Sequence, residues 1–333
     1  MTAVTATAAA DSPPAAPGAI TPNTPAPTHE SPLIAYALEL GHSESRSEIR
    51  SLHMANTALR AVTFEMSRHP PPSDEDCAHT LGASRFAQQY AQLATIQDQL
   101  GNFKAVIEAN QSALACAPRV ASYEASIASA HVTLDEIAEA RAAVERGYAL
   151  DPEDQAVREV RARLDFVQER WADATARFRL QMLEEKYAGP PSIDYVRCYL
   201  WLAQRRAGVR NPDLPQIATT ELKSPDAPQE KHWPAQILDT LRGELSEAGL
   251  VHVIREDGAR EPREWLTEAL FYVGELRLAE GDAETARRHF ATVVNLRVLN
   301  FVEYGMARAE LKKMRERAPV ADAAPSPTGT RAR

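Results

Sequence analysis

The sequence is short of glycine, aromatic residues, cysteine and positive charge, and each shortage excludes something. Only 14 glycines and 6% aromatics stand beside 44% hydrophobic residues in a chain of 333. That balance suits a long helical solenoid built as one unit better than the two ordinary domains this length would also allow. Cys77, Cys116 and Cys198 are odd in number and far apart, which gives neither a disulfide framework nor a metal-type spacing, so single buried thiols are expected. A net charge of −9 and a pI near 5.6 exclude nucleic acid and anionic membrane surfaces as main partners, because phosphate binding needs a net basic footprint. No apolar run has the length of a membrane span. Nor is there an HExxH, CxxC, G-x-S-x-G, P-loop or G-x-G-x-x-G, and the nine histidines are scattered. No catalytic residue, cofactor or metal is assigned, and the chain is not expected to be an enzyme. Asp76-Cys77-Ala78-His79 comes nearest to a reactive pair, but a Cys and a His two residues apart point to different faces of a helix. Acidic clusters such as Glu184 with Glu185, or Glu261 with Glu264, read as solvated helix faces.

What the sequence does contain is a repeat. Between residues 87 and 186, Ala94, Ala128 and Ala162 recur every 34 residues, as do Val106, Ala140 and Ala174, and Phe103, Ile137 and Trp171; Pro118 and Pro152 close the first two units at the same interval. Small residues mid-way along a first helix and early in a second let two helix axes approach closely. Leu93, Ile127, Phe103, Ile137, Trp171 and Phe178 fill the space beside them. Gly101 supplies the first reversal, since it takes positive φ without steric cost; Asp135 and Glu169 occupy the same place in the next two units and make less ideal turns. This pattern resembles the tetratricopeptide (TPR) repeat. The fold class that follows is all-α: a TPR-type α-solenoid of stacked helical hairpins with capping helices at both ends, since one hairpin cannot bury its apolar face alone.

Around the three repeats, assigned to residues 73–186, the chain divides by composition. Residues 1–31 are almost all Ala, Pro, Thr and Ser and are expected to be disordered, as are residues 316–333. Residues 32–72 carry a short apolar segment (Leu33 to Leu40) and a longer helix to about Ser67, with Ile49, Leu52, Leu59, Val62 and Met66 at helical spacing. This part is either a cap on the solenoid or a dimerisation element. Pro70, Pro71 and Pro72 end it, and Ser73 with Asp76 reads as a capping pair for the next helix. Residues 187–260 form a degenerate repeat with connecting helices: one opened by Pro190 and Pro191 and ended at Gly208, a short one within Pro212 to Pro228, and one from His232 through Leu245.

The last unit, residues 261–315, is a TPR-like hairpin followed by a C-terminal helix. Gly274, Gly281, Ala286 and Phe290 fall at the small, turn, small and aromatic offsets, and Asn300-Phe301-Val302-Glu303-Tyr304 with Ala307, Glu310 and Leu311 follows. This end resembles that of the bacterial lipoprotein NlpI-like family, as does the Tyr-Leu-Trp-Leu-Ala helix near residue 200. The resemblance implies a scaffold or adaptor for proteases or cell-wall hydrolases. The chain departs from that family in having neither a lipobox cysteine nor the basic start and apolar stretch of an export signal. A cytoplasmic location is expected for the sequence as written, and a periplasmic or envelope-associated one if its N-terminus is incomplete.

The resemblance to TPRs also implies that function resides in the concave groove lined by the first helices. By register its candidates are Gln88, Ala91, Thr95, Ser122, Ala125, Ser129, Glu159, Arg163, Phe166, Phe271, Glu275 and Leu278. The offsets at which some TPR proteins hold a terminal carboxylate carry Ala91, Thr95, Ser126, Ala156 and Val160 here, so a carboxylate clamp is not expected. Two readings stand: a non-enzymatic scaffold presenting its groove to a protein or peptide ligand, with Arg163 and Phe166 as cationic and apolar contacts, and a self-assembling solenoid whose groove is filled by its own termini or by a second copy in a homodimer.

Overall fold

In the computed structural model, each 34-residue unit is a pair of helices joined by one residue of positive φ. The structure describes residues 30–40, 46–71, 73–184, 192–215, 233–257 and 262–317. Among these the chain is all-helical, with no strand. Helix α1 (Pro32–Leu40), α2 (Arg46–Arg68) and the single turn α3 (Asp74–Cys77) lead into three pairs: α4 (Ala83–Gln99) with α5 (Phe103–Cys116), α6 (Ala121–Thr133) with α7 (Ile137–Leu150), and α8 (Gln155–Val167) with α9 (Trp171–Met182). Then come α10 (Ser192–Arg206), α11 (Trp233–Leu241) and α12 (Glu247–Glu256), a fourth pair α13 (Pro262–Ala279) and α14 (Ala283–Leu296), and finally α15 (Val302–Arg317). The two disordered segments expected at the ends lie outside the described residues, apart from Glu30, Ser31 and the last turn of α15. The opening prolines Pro190 and Pro191 and most of the Pro212 to Pro228 stretch lie outside them as well.

The reversals use one device four times. Gly101, Asp135, Glu169 and Gly281 have φ of 73°, 66°, 59° and 84°. In each case the next N–H (Asn102, Glu136, Arg170, Asp282) donates across the turn to the carbonyl five residues earlier at 2.9 Å, which closes the end of the first helix. For Asp135 and Glu169 the left-handed backbone costs on the order of 1–2 kcal/mol relative to glycine. The small residues then do what their spacing predicts: Ala94, Ala128, Ala162, Val106, Ala140 and Ala174 are all buried where the two helices of a pair touch. Ser73 donates to the Asp76 carboxylate at 2.9 Å and accepts no backbone N–H, so it is not the expected cap.

Three features were not expected. The two N-terminal helices separate: α2 packs on α4 at the start of the pairs, whereas α1 packs on α12, α13 and α14 near the other end, burying Leu33, Ile34, Tyr36 and Ala37 in the largest core. Ser31 donates to Glu247 at 2.6 Å beside it. Second, α15 does not simply extend the stack. It returns to lie against α6 and α8 as well as α13 and α14.

The third corrects the cysteine reading. Cys77 and Cys116 are joined in a disulfide, with Cα atoms 4.6 Å apart, and only Cys198 remains a buried thiol. The 39-residue separation hides a pairing made by α3 packing on α5. Closing such a loop stabilises a fold by about 2–4 kcal/mol, largely through the unfolded chain. Thiol titration in denaturant is therefore expected to find one reactive group per chain before reduction and three after, with a lower melting temperature for the reduced protein. Three thiols without reductant would show that the bridge does not form.

Candidate functional site

The first helices α4, α6 and α8 face one cavity of about 420 Å³, closed on its far side by the segment from Leu299 to Val302 and by Met306 of α15. Of the register candidates, Thr95, Ser122, Ser129, Glu159 and Arg163 line it, with Ala91 and Ala125. Gln88 is exposed and outside its wall. The wall is mostly small: alanines, serines and threonines on α4 and α6 leave open volume where larger side chains would have met the opposite face.

Three candidates are misplaced. Phe166 has no exposed surface; its ring packs edge-on against Trp171 at 5.2 Å and Tyr199 at 5.7 Å. Three residues turn a helix by about 300°, so a neighbour of Arg163 one turn on is rotated off the groove face by about 60°, far enough to enter the core between α8, α9 and α10. Phe271 and Glu275 are also fully buried, because α13 is a central helix with α1, α10, α11, α12, α14 and α15 packed around it. Leu278 is half-buried at its end.

The C-terminal segment meets all three hairpin turns. Leu299 lies where a Cβ on Gly101 would stand, 2.4 Å from that position. Gly305 packs on Thr133, whose Oγ1 and Cα would lie 2.7 and 3.2 Å from an added Cβ. Arg308 donates to the Thr133 carbonyl at 2.9 Å, and Lys313 to that of Val167 at 2.8 Å; both cations thus sit at the negative C-terminal ends of α6 and α8. Lys312 pairs with Asp135 at 2.8 Å and Arg317 with Glu169 at 2.7 Å. The two turns that lack glycine carry carboxylates that anchor α15.

A second cavity of about 330 Å³ adjoins the first and shares Glu159, Arg163, Asn300, Phe301 and Val302 with it. Its wall is different, combining Phe178, Tyr195, Tyr199 and Tyr272 with the buried carboxyls Glu268 and Glu303. Burial, with the nearby Glu303, pushes Glu268 up to about 8, and burial raises Glu303 too. In the larger cavity the Asp98 carboxyl is pushed up to about 6 by burial, and that carboxyl has no hydrogen-bond or ion-pair partner among the described residues. Arg163, on the border of both, faces Glu159 at 3.7 Å. Register analysis missed Phe301 and Glu303, because they come from the segment after α14 and not from a first helix. Their signal was the Asn300 to Tyr304 run, read above as a family signature alone.

No group of three or more His, Cys, Asp or Glu among the described residues could hold a metal, and no described helix is long and apolar enough to cross a membrane. No protein-family model matches the chain.

Proposed function

We propose that the chain is a TPR-type solenoid that acts as a non-enzymatic scaffold, binding a segment of a partner protein in the cavity beneath α15. The observation that carries this reading is the meeting of five register-predicted positions, Thr95, Ser122, Ser129, Glu159 and Arg163, around one cavity large enough for several side chains. The resemblance to NlpI-like proteins makes a protease or cell-wall hydrolase the class of partner to test first. The Cys77–Cys116 bridge favours the periplasmic or envelope-associated location over the cytoplasmic one, because disulfides persist in oxidising compartments.

The placement of α15 favours a second reading beside it, in which the groove is filled by the chain's own C-terminus and the solenoid is structural. Capture of partners from native lysate separates the two. Ser129→Trp puts an indole into the cavity from a half-buried position. It is expected to abolish capture while the thermal melt stays within a few degrees of the parent. Partners captured equally by parent and variant would place binding on another surface. A parent that captures nothing, and that light scattering shows as a fixed oligomer, would favour the structural reading.

A further inference from the structure

We propose that the smaller cavity binds a primary alkylammonium group, its charge held between Glu268 and Glu303 and its methylene chain against Phe178, Tyr199 and Phe301. This goes beyond the scaffold reading and does not depend on it, since Glu268, Glu303, Phe178 and Tyr199 lie outside the wall that Ser129 helps to form and, of the residues that carry it, only Phe301 is common to both cavities.

The argument starts from two carboxyls that the fold does not need as acids. Glu268 is 8% exposed and accepts from the Tyr195 hydroxyl at 2.9 and 3.0 Å and from the Trp233 indole N–H. Those donors are neutral, and a glutamine carbonyl would satisfy them as well. Glu303, 4% exposed, accepts from its own backbone N–H and, over long contacts, from Tyr199 at 3.3 Å and Tyr272 at 3.4 Å, which still leaves acceptor capacity over. Neither carboxyl has a cation within ion-pair distance among the described residues; Arg163, which faces Glu159 at 3.7 Å, lines the same cavity and favours ionised Glu303 from farther off. Glu268 and Glu303 line one cavity, Glu303 adds to the burial that raises Glu268, and neither is ion-paired among the described residues; buried acids kept in this way are expensive and mark functional positions more often than structural ones.

The rest of the wall matches a cation carried on a hydrocarbon chain. Phe178 and Tyr199 stack at 5.3 Å, and Tyr199 and Tyr272 meet at 5.3 Å. Ring faces attract an ammonium and pack against methylenes. A primary ammonium offers three N–H donors, which fits a pair of carboxyls with spare acceptor sites better than a quaternary one. The lining sets one cation, Arg163, against three carboxyls, Glu159, Glu268 and Glu303, so a positive ligand is the one its charge favours. The groups around them are Glu264 and Tyr272 on α13, Tyr195, Tyr199 and Cys198 on α10, Trp233 on α11, and Arg163 on α8.

An ammonium entering here favours the ionised carboxylate, so binding releases a proton. Affinity then rises with pH through the range in which Glu268 is otherwise protonated, up to the amine's own ionisation at about 10.4. The full chain is titrated calorimetrically with 1,5-diaminopentane, with Nα-acetyl-lysine N-methylamide and with 1,5-pentanediol, at pH 6 and pH 8.5. The expected result is binding of one or both amines but not the diol, tighter at the higher pH, and weakened by about tenfold or more in Glu303→Gln and in Glu268→Gln. Binding of the diamine alone assigns the site to free amines, and binding of the lysine derivative alone assigns it to a lysine side chain of a protein. No amine binding, or diol binding of equal strength, overturns the proposal. So does unchanged amine affinity in a folded Gln variant. If either variant fails to fold, the pH dependence of the parent decides: affinity that is flat or falling between pH 6 and 8.5 is equally fatal.

Discussion

Phe166→Ala is expected to destabilise the protein by about 3–5 kcal/mol, the range for truncating a fully buried phenylalanine in a core that cannot collapse around the hole. The site meets that condition. Phe166 has no exposed surface and is wedged between Trp171 of α9 and Tyr199 of α10, and Tyr199 in turn stacks on Phe178. These rings come from three helices whose positions are fixed by other contacts, so little can move in to fill the cavity. Arg163→Ala, one turn earlier on the same helix, removes a half-buried groove residue and is expected to cost less than about 1 kcal/mol. Chemical denaturation of both variants separates core from groove. Similar small losses at the two positions would put Phe166 back on the binding face.

That pair also shows where the sequence was legible and where it was not. The 34-residue spacing located the small contact residues and the reversals of the first three pairs, and the same offsets within a unit located the fourth reversal at Gly281, because a repeat constrains each unit by the same local geometry. The non-glycine turns at Asp135 and Glu169 were visible as departures, but their reason was not. Their carboxylates receive Lys312 and Arg317 from the far C-terminal helix α15, and no local pattern encodes such a contact. Face assignment failed at Phe166, Phe271 and Glu275 for a related cause. Register predicts which side of an isolated hairpin is concave, yet α13 has neighbours all round, and Phe166 turns off the groove face of α8 to meet Trp171 of α9 and Tyr199 of α10. The disulfide and the separation of α1 from α2 are likewise long-range outcomes. The larger cavity was legible because it lies where the repeats are most regular; the smaller one was not, because α10, α13 and the segment after α14 build most of it.

The other large effect is expected at Arg206, where the last turn of α10 is tied to three parts of the fold. Its guanidinium is paired with Glu275 of α13, lies 3.9 Å from Glu310 of α15 and 3.5 Å from Glu169 at the turn between α8 and α9, and stacks over Trp171 at 4.7 Å. Glu275 and Glu310 are 0% and 2% exposed, and Glu275 keeps one carboxylate oxygen without a hydrogen-bond partner. Burial holds the Glu275 carboxyl above its ordinary range even with Arg206 present. Arg206→Leu preserves much of the packing on Trp171 and deletes the charge, leaving two buried carboxylates with Lys313 as the remaining close cation for Glu310. Breaking a buried pair in this way costs about 3–5 kcal/mol. The loss has a definite pH dependence. A carboxyl whose folded pKa lies above its unfolded value binds more protons in the folded state than in the unfolded state between those two values, so stability falls as pH rises across that window. Deleting Arg206 raises the folded value further. The variant is therefore expected to approach the parent near pH 4.5, where the unfolded carboxyl is itself half protonated, and to fall steadily below it towards pH 8. Urea unfolding of parent and variant at both pH values measures the gap. A gap of the same size at the two would mean that Arg206 acts through packing on Trp171 and not through the acids it faces.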